Sequence, residues 1–175
     1  MRSFFVTVVL FLGIGAFAQN DSIYMHNGKM IEGNVVRVAE FTIIFKYAGE
    51  DAEQIVGKYA VKKIVFGKSH RVEEISDKVN VISKDDWESV VILEDKSQVA
   101  GLTKVEAVKG KTAMINYRTA AGSSAKAEKD LKMKAADLGC QFILMVSDKD
   151  ADLSGNNGRG LGGTQSMKAG VAYKY

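Results

Sequence analysis

Only one stretch of this chain, Ser123 to Leu138, carries helical periodicity. Ala127, Leu131, Ala135 and Leu138 recur at the spacing that lines one face of a helix, while Lys126, Lys129 and Lys132 fall on the other, solvated side. Ser123 and Ser124 are good N-caps, and Gly139 is a natural residue just past a helix end. Nearly everything else after residue 18 reads as short runs of β-branched and aromatic residues between turn residues. A chain of many short strands and one helix must build sheets and lay the helix on one of them. The expected fold class is α+β: an N-terminal small β-barrel of about five short strands, then an antiparallel or mixed sheet with one helix.

Packing alone must hold such a fold together. The chain has no proline, and Cys140 is its only cysteine, so no intramolecular disulfide can form. Charge is nearly balanced, at 24 Lys and Arg against 21 Asp and Glu. The densest basic cluster, Lys126 to Lys134, is interleaved with Glu128 and Asp130. Nucleic-acid binding needs a clustered basic face, so nucleic acid is not an expected partner.

Residues 1–18 read as a signal peptide. Arg2 is the only charge before the apolar run Phe4 to Phe17, and Ala16-Phe17-Ala18 supplies the small-x-small site that signal peptidase needs. The run is shorter than the ~20 residues that cross a bilayer core. Cleavage near Ala18-Gln19 gives an exported chain, periplasmic or secreted. No cysteine follows Ala18 to take a lipid, and no later apolar run reaches spanning length, so the mature chain has no transmembrane segment.

Residues 19–76 form the expected barrel. Ile23 to His26 leads into Asn27-Gly28, the hairpin pair suited to a type I′ turn. Strands follow at Met30 to Val38, Phe41 to Tyr47, Gln54 to Tyr59 and Lys63 to Gly67, with Arg71 to Ile75 continuing the last. Closure into a barrel would remove the exposed edges of so small a sheet. Residues 77–86 read as a linker, and 87–175 as the α+β domain. In that domain strands are expected at Trp87 to Leu93, at Val99 to Val108 and Lys111 to Tyr117 around a turn at Lys109-Gly110, at Gln141 to Val146, and from Met167 to Tyr175.

Two resemblances rest on these patterns. The series Asp21, Ile23, Gly28, Ile31, Gly33, Val35, Val38, with Ile43-Ile44-Phe45-Lys46 and Ile64-Val65-Phe66, resembles the small Sm-like or SH3-like barrels of secreted envelope proteins. The RNA-binding loop motifs of cytoplasmic Sm proteins have no match, so the likeness implies architecture only. The run Ala127 to Leu131, Ala135-Ala136, Leu138-Gly139-Cys140-Gln141-Phe142-Ile143-Leu144 resembles the helix-to-strand core of small α+β envelope domains. That family includes stress-sensing outer-membrane lipoproteins and domains named for heavy-metal binding. This chain lacks the lipid-attachment cysteine and any partner for Cys140, so the resemblance implies a fold rather than the sensor or metal role.

Candidate sites concentrate after the last predicted internal strand. Asp150-x-Asp152-x-Ser154-Gly155 matches the opening of a calcium loop, which needs oxygen ligands at alternate positions and a glycine at the sixth. The twelfth position is Leu161 rather than a bidentate glutamate, and the flanking helices are absent, so a solvated acidic loop is the preferred reading. Ca²⁺ is the one ion the spacing suggests, and no other cofactor is expected. Asp148 and Arg159 are binding candidates, because the acidic and glycine-rich stretch from Asp148 to Gly163 is long for a connector. A phosphate cradle there would need a following helix, whereas a strand is expected. His26 and His70 lack chelating spacing, and Cys140 beyond a helix C-terminus is a core residue rather than a nucleophile. Asp85, Asp86 and Glu88 around Trp87 read as a surface cluster. No catalytic residues are assigned. The expected function is non-enzymatic binding or sensing in the bacterial cell envelope, with an envelope protein or small ligand as partner. The alternatives are an assembly role there, or a hydrolase using acidic residues.

Overall fold

The structure, a computed structural model, describes residues 20–112, 120–152 and 164–175. Among the described residues, ten strands form two sheets, with one long helix. The class is α+β.

The first sheet is antiparallel. It contains β1 (Asp21–Met25), β2 (Met30–Val38), β3 (Thr42–Tyr47), β4 (Glu53–Gly57), β5 (Val61–Val65) and β6 (Val72–Glu74), in the order β4-β3-β2-β1-β5-β6. Alternation decides its face. Ile23 lies opposite Ile31 on one side and Ile64 on the other, and Ile43 lies opposite Val56. These residues, with Phe45, Ala60 and Val61, form one buried cluster. Register shifts at Val35/Arg37 and Tyr24/Met25 bend the strands that carry them.

The sheet does not close into the expected barrel: β4 and β6 are its two edges. The second half of the chain supplies the reason at the Gly57 end of β4. There the Gly57 N–H donates to the Ala100 carbonyl at 2.8 Å, and a Cβ on Gly57 would overlap the Gln98 carbonyl oxygen. The 3-10 turn Lys96–Val99 and the residue after it therefore occupy part of the edge where a closing strand would pair.

The first hairpin also differs from the expected type I′ turn. Gly28 has φ of +86°, but Asn27 is not left-handed. The Gly28 N–H donates to the Met25 carbonyl at 3.1 Å, and Asn27 Oδ1 accepts from the Lys29 N–H at 3.0 Å. The asparagine side chain steadies an ordinary turn, and only the glycine after it needs positive φ, as in three-residue hairpin loops.

The second sheet is mixed. It joins β7 (Val91–Leu93), β9 (Phe142–Asp152), β10 (Thr164–Lys174) and β8 (Thr103–Lys111) in that order, with β7 parallel to β9. The expected strand from Trp87 is shorter, because Lys84–Ser89 forms a 3-10 helix closed by a capping box between Ser83 and Asp86. No turn occurs at Lys109-Gly110; β8 runs straight through it. Gly110 is there because α1 (Ala120–Asp137) crosses at that point, and a Cβ would overlap the Ala127 carbonyl oxygen. The helix begins before Ser123, which is fully buried within it rather than capping it. Its other end follows expectation. Gly139 has φ of +64°, its N–H donates to the Ala136 carbonyl, and the Cys140 N–H donates to the Ala135 carbonyl, which is a Schellman closure.

Leu131, Ala135 and Ala136 press α1 onto Val108, Ile143 and Ala172, with Val81 and Val90 completing the cluster; Leu138 is outside it and exposed. On the other face of the sheet Leu93, Phe142 and Leu144 meet Tyr59 and Leu102, and Leu102 also packs on the first core. The Tyr59 and Phe142 rings lie 5.4 Å apart, the Phe142 and Tyr175 rings 5.3 Å, and the Val79 N–H donates to Tyr175 Oη at 2.9 Å. Residues 77–82, expected as linker, carry Val79 and Val81 into these clusters. The two halves share a packed junction.

Candidate functional site

A concavity lies at one end of the first sheet. It is an open groove of about 590 Å³ between the β1–β2 hairpin, β3 and β4, with Gly101 of the second half at its inner end. Met25, Ile31 and Phe45 supply apolar lining, and Asn27, Lys29, Glu32 and Gln54 polar and charged groups. Tyr47 stands edge-on to Phe45, with ring centroids 5.2 Å apart, and is 40% exposed; Ile55 beside it is 56% exposed. The sequence holds a faint signal of this. Ile55-Val56 places two large apolar residues in succession on a strand, and alternation sends one to each face. Val56 takes the core, and Ile55 is left outside it.

The candidates in the acidic stretch lie differently from expectation. The strand expected to end at Val146 continues as β9 to Asp152, so Asp148, Asp150 and Asp152 are in a ladder opposite Lys168, Ser166 and Thr164. A calcium loop wraps its opening ligands around the ion, whereas these backbone positions are extended. The Asp148 carboxylate pairs with Lys168 Nζ at 2.5 Å, and the Lys168 side chain is only 7% exposed. Asp148 thus neutralises a buried ammonium, the condition under which burial of a lysine is tolerable. Ser154 and Arg159 lie outside the described residues, as do residues 1–18, expected as a signal peptide. Among the described residues, no group of three or more His, Cys, Asp or Glu is placed to hold a metal.

Three further carboxylates serve the backbone. Asp86 accepts from the Ile82 and Ser83 N–H groups, each at 2.9 Å, and these bonds hold its carboxyl below the usual range. Asp95 caps the Lys96–Val99 turn through Ser97 and is lowered by the Ser97 hydroxyl and N–H. Asp130 accepts from the Lys111 N–H and from Lys134 Nζ, tying α1 to β8.

His26 is half-buried at the junction. Its Nε2 lies 3.0 Å from Ser76 Oγ, and its ring is 5.0 Å from that of Tyr175. Because Ser76 Oγ also reaches the Lys58 and Val61 carbonyls, the network assigns the donated proton to Nε2–H. Burial, with Lys78 and Lys62 nearby, lowers its pKa against the opposing effects of Ser76 and Asp77. Cys140 is fully buried, and desolvation pushes its thiol up, the reverse of what a nucleophile needs.

No helix among the described residues is long and apolar enough to cross a membrane. Comparison with known proteins finds no matching family model, no matching curated protein and no matching solved structure.

Proposed function

We propose that the protein is an exported, non-enzymatic binding protein of the bacterial cell envelope, taking its ligand in the groove between the β1–β2 hairpin, β3 and β4. The observation that carries this reading is the groove itself. Its volume of about 590 Å³ falls within the usual ~300–1,000 Å³ of ligand sites, and its lining sets apolar and aromatic Ile31, Phe45, Tyr47 and Ile55 beside polar and charged Asn27, Lys29, Glu32 and Gln54. The ligand is an amphipathic small molecule or side-chain cluster, its apolar body against Phe45, Tyr47 and Ile55 and its polar groups towards Lys29, Glu32 or Gln54. The partnered carboxylates favour binding over hydrolysis: Asp86, a member of the acidic cluster around Trp87, is occupied by two backbone amides. Export rests on the leader, with its apolar run and Ala16-Phe17-Ala18 site.

Titration of the purified protein with an environment-sensitive apolar fluorophore tests the groove. Saturable enhancement is expected, reduced at least several-fold in both Tyr47→Ala and Ile55→Ser. Equal enhancement in the variants sinks the reading. Amino-terminal sequencing of native material tests export, and retention of Met1 removes it.

A second reading, an assembly role in the envelope, draws on β4 as an unpaired edge carrying exposed Ile55. Such edges accept an added strand from a partner. In-cell crosslinking from position 53 separates the two: a discrete protein adduct supports assembly, and its absence leaves the small-ligand groove.

A further inference from the structure

The far end of the second sheet presents a different surface, separate from the apolar groove. Strands β8, β10 and β9 run side by side there. Across them, Lys111, Met167 and Lys149 stand in one row, and Lys109, Ala169 and Ser147 in the next. Alternation places all six on the face opposite α1, because Gly110, between the two β8 lysines, lies against the helix backbone. The three lysines are exposed. They border a single concavity of about 220 Å³ into which Ser147, Met167 and Ala169 also open.

The charges on this face are unbalanced. Among the described residues none of Lys109, Lys111 and Lys149 makes a salt bridge. The two nearby carboxylates with described partners are committed elsewhere: Asp148 to buried Lys168, and Asp130 to Lys134 and the Lys111 N–H. Lys109 and Lys111 are two residues apart on one strand, about 7 Å along it. Like charges gathered on one sheet face destabilise it. Lysines on exposed strands also discourage edge pairing, but that purpose needs no shared hollow and no hydroxyl beside it.

We propose that this hollow is a binding site for a phosphate dianion, either inorganic phosphate or the terminal phosphate of a phosphomonoester. Three ammonium groups approach from two sides, Ser147 Oγ offers a fourth polar contact, and small Ala169 leaves the floor open. A dianion with several acceptor oxygens satisfies more of these donors than a single carboxylate does, and lysine serves phosphate as a point charge with rotatable donors. Binding relieves the mutual repulsion of the lysines, and its strength falls as salt screens the site.

The test is calorimetric and thermal-shift titration of the full exported chain with inorganic phosphate, alongside flotation with phosphatidylcholine vesicles containing or lacking phosphatidate. Saturable phosphate binding that raises the melting temperature is expected. Lys149→Gln and Lys109→Gln each weaken it about tenfold, as loss of one charge-assisted contact predicts. Lys149→Arg restores most of it, and Lys104→Gln, further down β8, leaves it unchanged. The glutamine variants fold, their melting temperatures without phosphate staying equal to or above the parent's. Phosphate binding with no preference for phosphatidate vesicles identifies the soluble anion. Phosphatidate-dependent flotation lost in Lys149→Gln identifies a lipid headgroup. The proposal is overturned if neither probe binds, or if both glutamine variants bind as tightly as the parent. The fluorophore result at the groove is independent, so either site can fail alone.

Discussion

Asp21 spans two places that the backbone would otherwise leave loose. Its Oδ2 accepts from the Val35 N–H at the bulge of β2, and its Oδ1 from the Gly67 N–H after β5, both at 2.9 Å. Asp21→Asn must turn an amide nitrogen towards one of these donors, so a loss of about 1–3 kcal/mol in denaturant-unfolding stability is expected. An unchanged midpoint would mean the two bonds are not maintained in solution. His26 gives a pH-dependent prediction. Its folded pKa is depressed, chiefly by burial, so on acidification the unfolded chain takes up the proton first. Above about pH 6.5 both states are neutral there, and the group has no effect. As pH falls below that value stability declines, until the folded pKa is passed and the penalty becomes constant. Melting temperatures between pH 7.5 and 5 should fall more steeply in the parent than in His26→Gln. Equal slopes would remove His26 as the cause.

Among the elements, those whose signal is local were the legible ones. The helix was visible from the spacing of Ala127, Leu131 and Ala135, and the stop at Gly139 from its type. Its start was missed because Ser123 looks like a cap in sequence but is a small residue where the helix packs tightly. Gly110 misled for a related reason. A glycine beside lysine resembles a turn, yet its lack of a side chain is needed for helix-on-strand contact, which no single-strand pattern records. The groove was illegible because it depends on how bulges bend one sheet and on where Gly101, distant in sequence, comes to rest. The lysine hollow was equally hidden, its members lying on three strands brought together by pairing alone. Gly110→Ala should lower stability by about 1–3 kcal/mol through overpacking. Circular dichroism should show helix content lost first, and full retention of the midpoint would show that α1 can move aside without penalty.

At the scale of the molecule, the junction decides behaviour. Phe142 is fully buried, touches Tyr59 of the first half and Tyr175 of the second, and shares its cluster with Leu93 and Leu144. The barrel-and-linker plan treated the halves as separate, because apolar residues in a short connector such as Val79 and Val81 do not announce where they pack. Phe142→Ala should cost about 3–5 kcal/mol, and the loss should appear in both sheets together. Hydrogen exchange is the check: protection should fall in β1 and β5 as well as in β9. A change confined to β9 would show two independent folding units.

The placement of β10 between β8 and β9 also fixes an order of events. Those two strands never touch, so a polypeptide emerging amino end first can pair β7 with β9 but cannot join β8 to the second sheet until residues 164–174 arrive. Throughout that interval the six-stranded sheet is complete in sequence, while Phe142 still lacks Tyr173 and Tyr175, and Ile143 lacks Ala172. Chaperone demand during biogenesis should therefore fall on the carboxyl-terminal half.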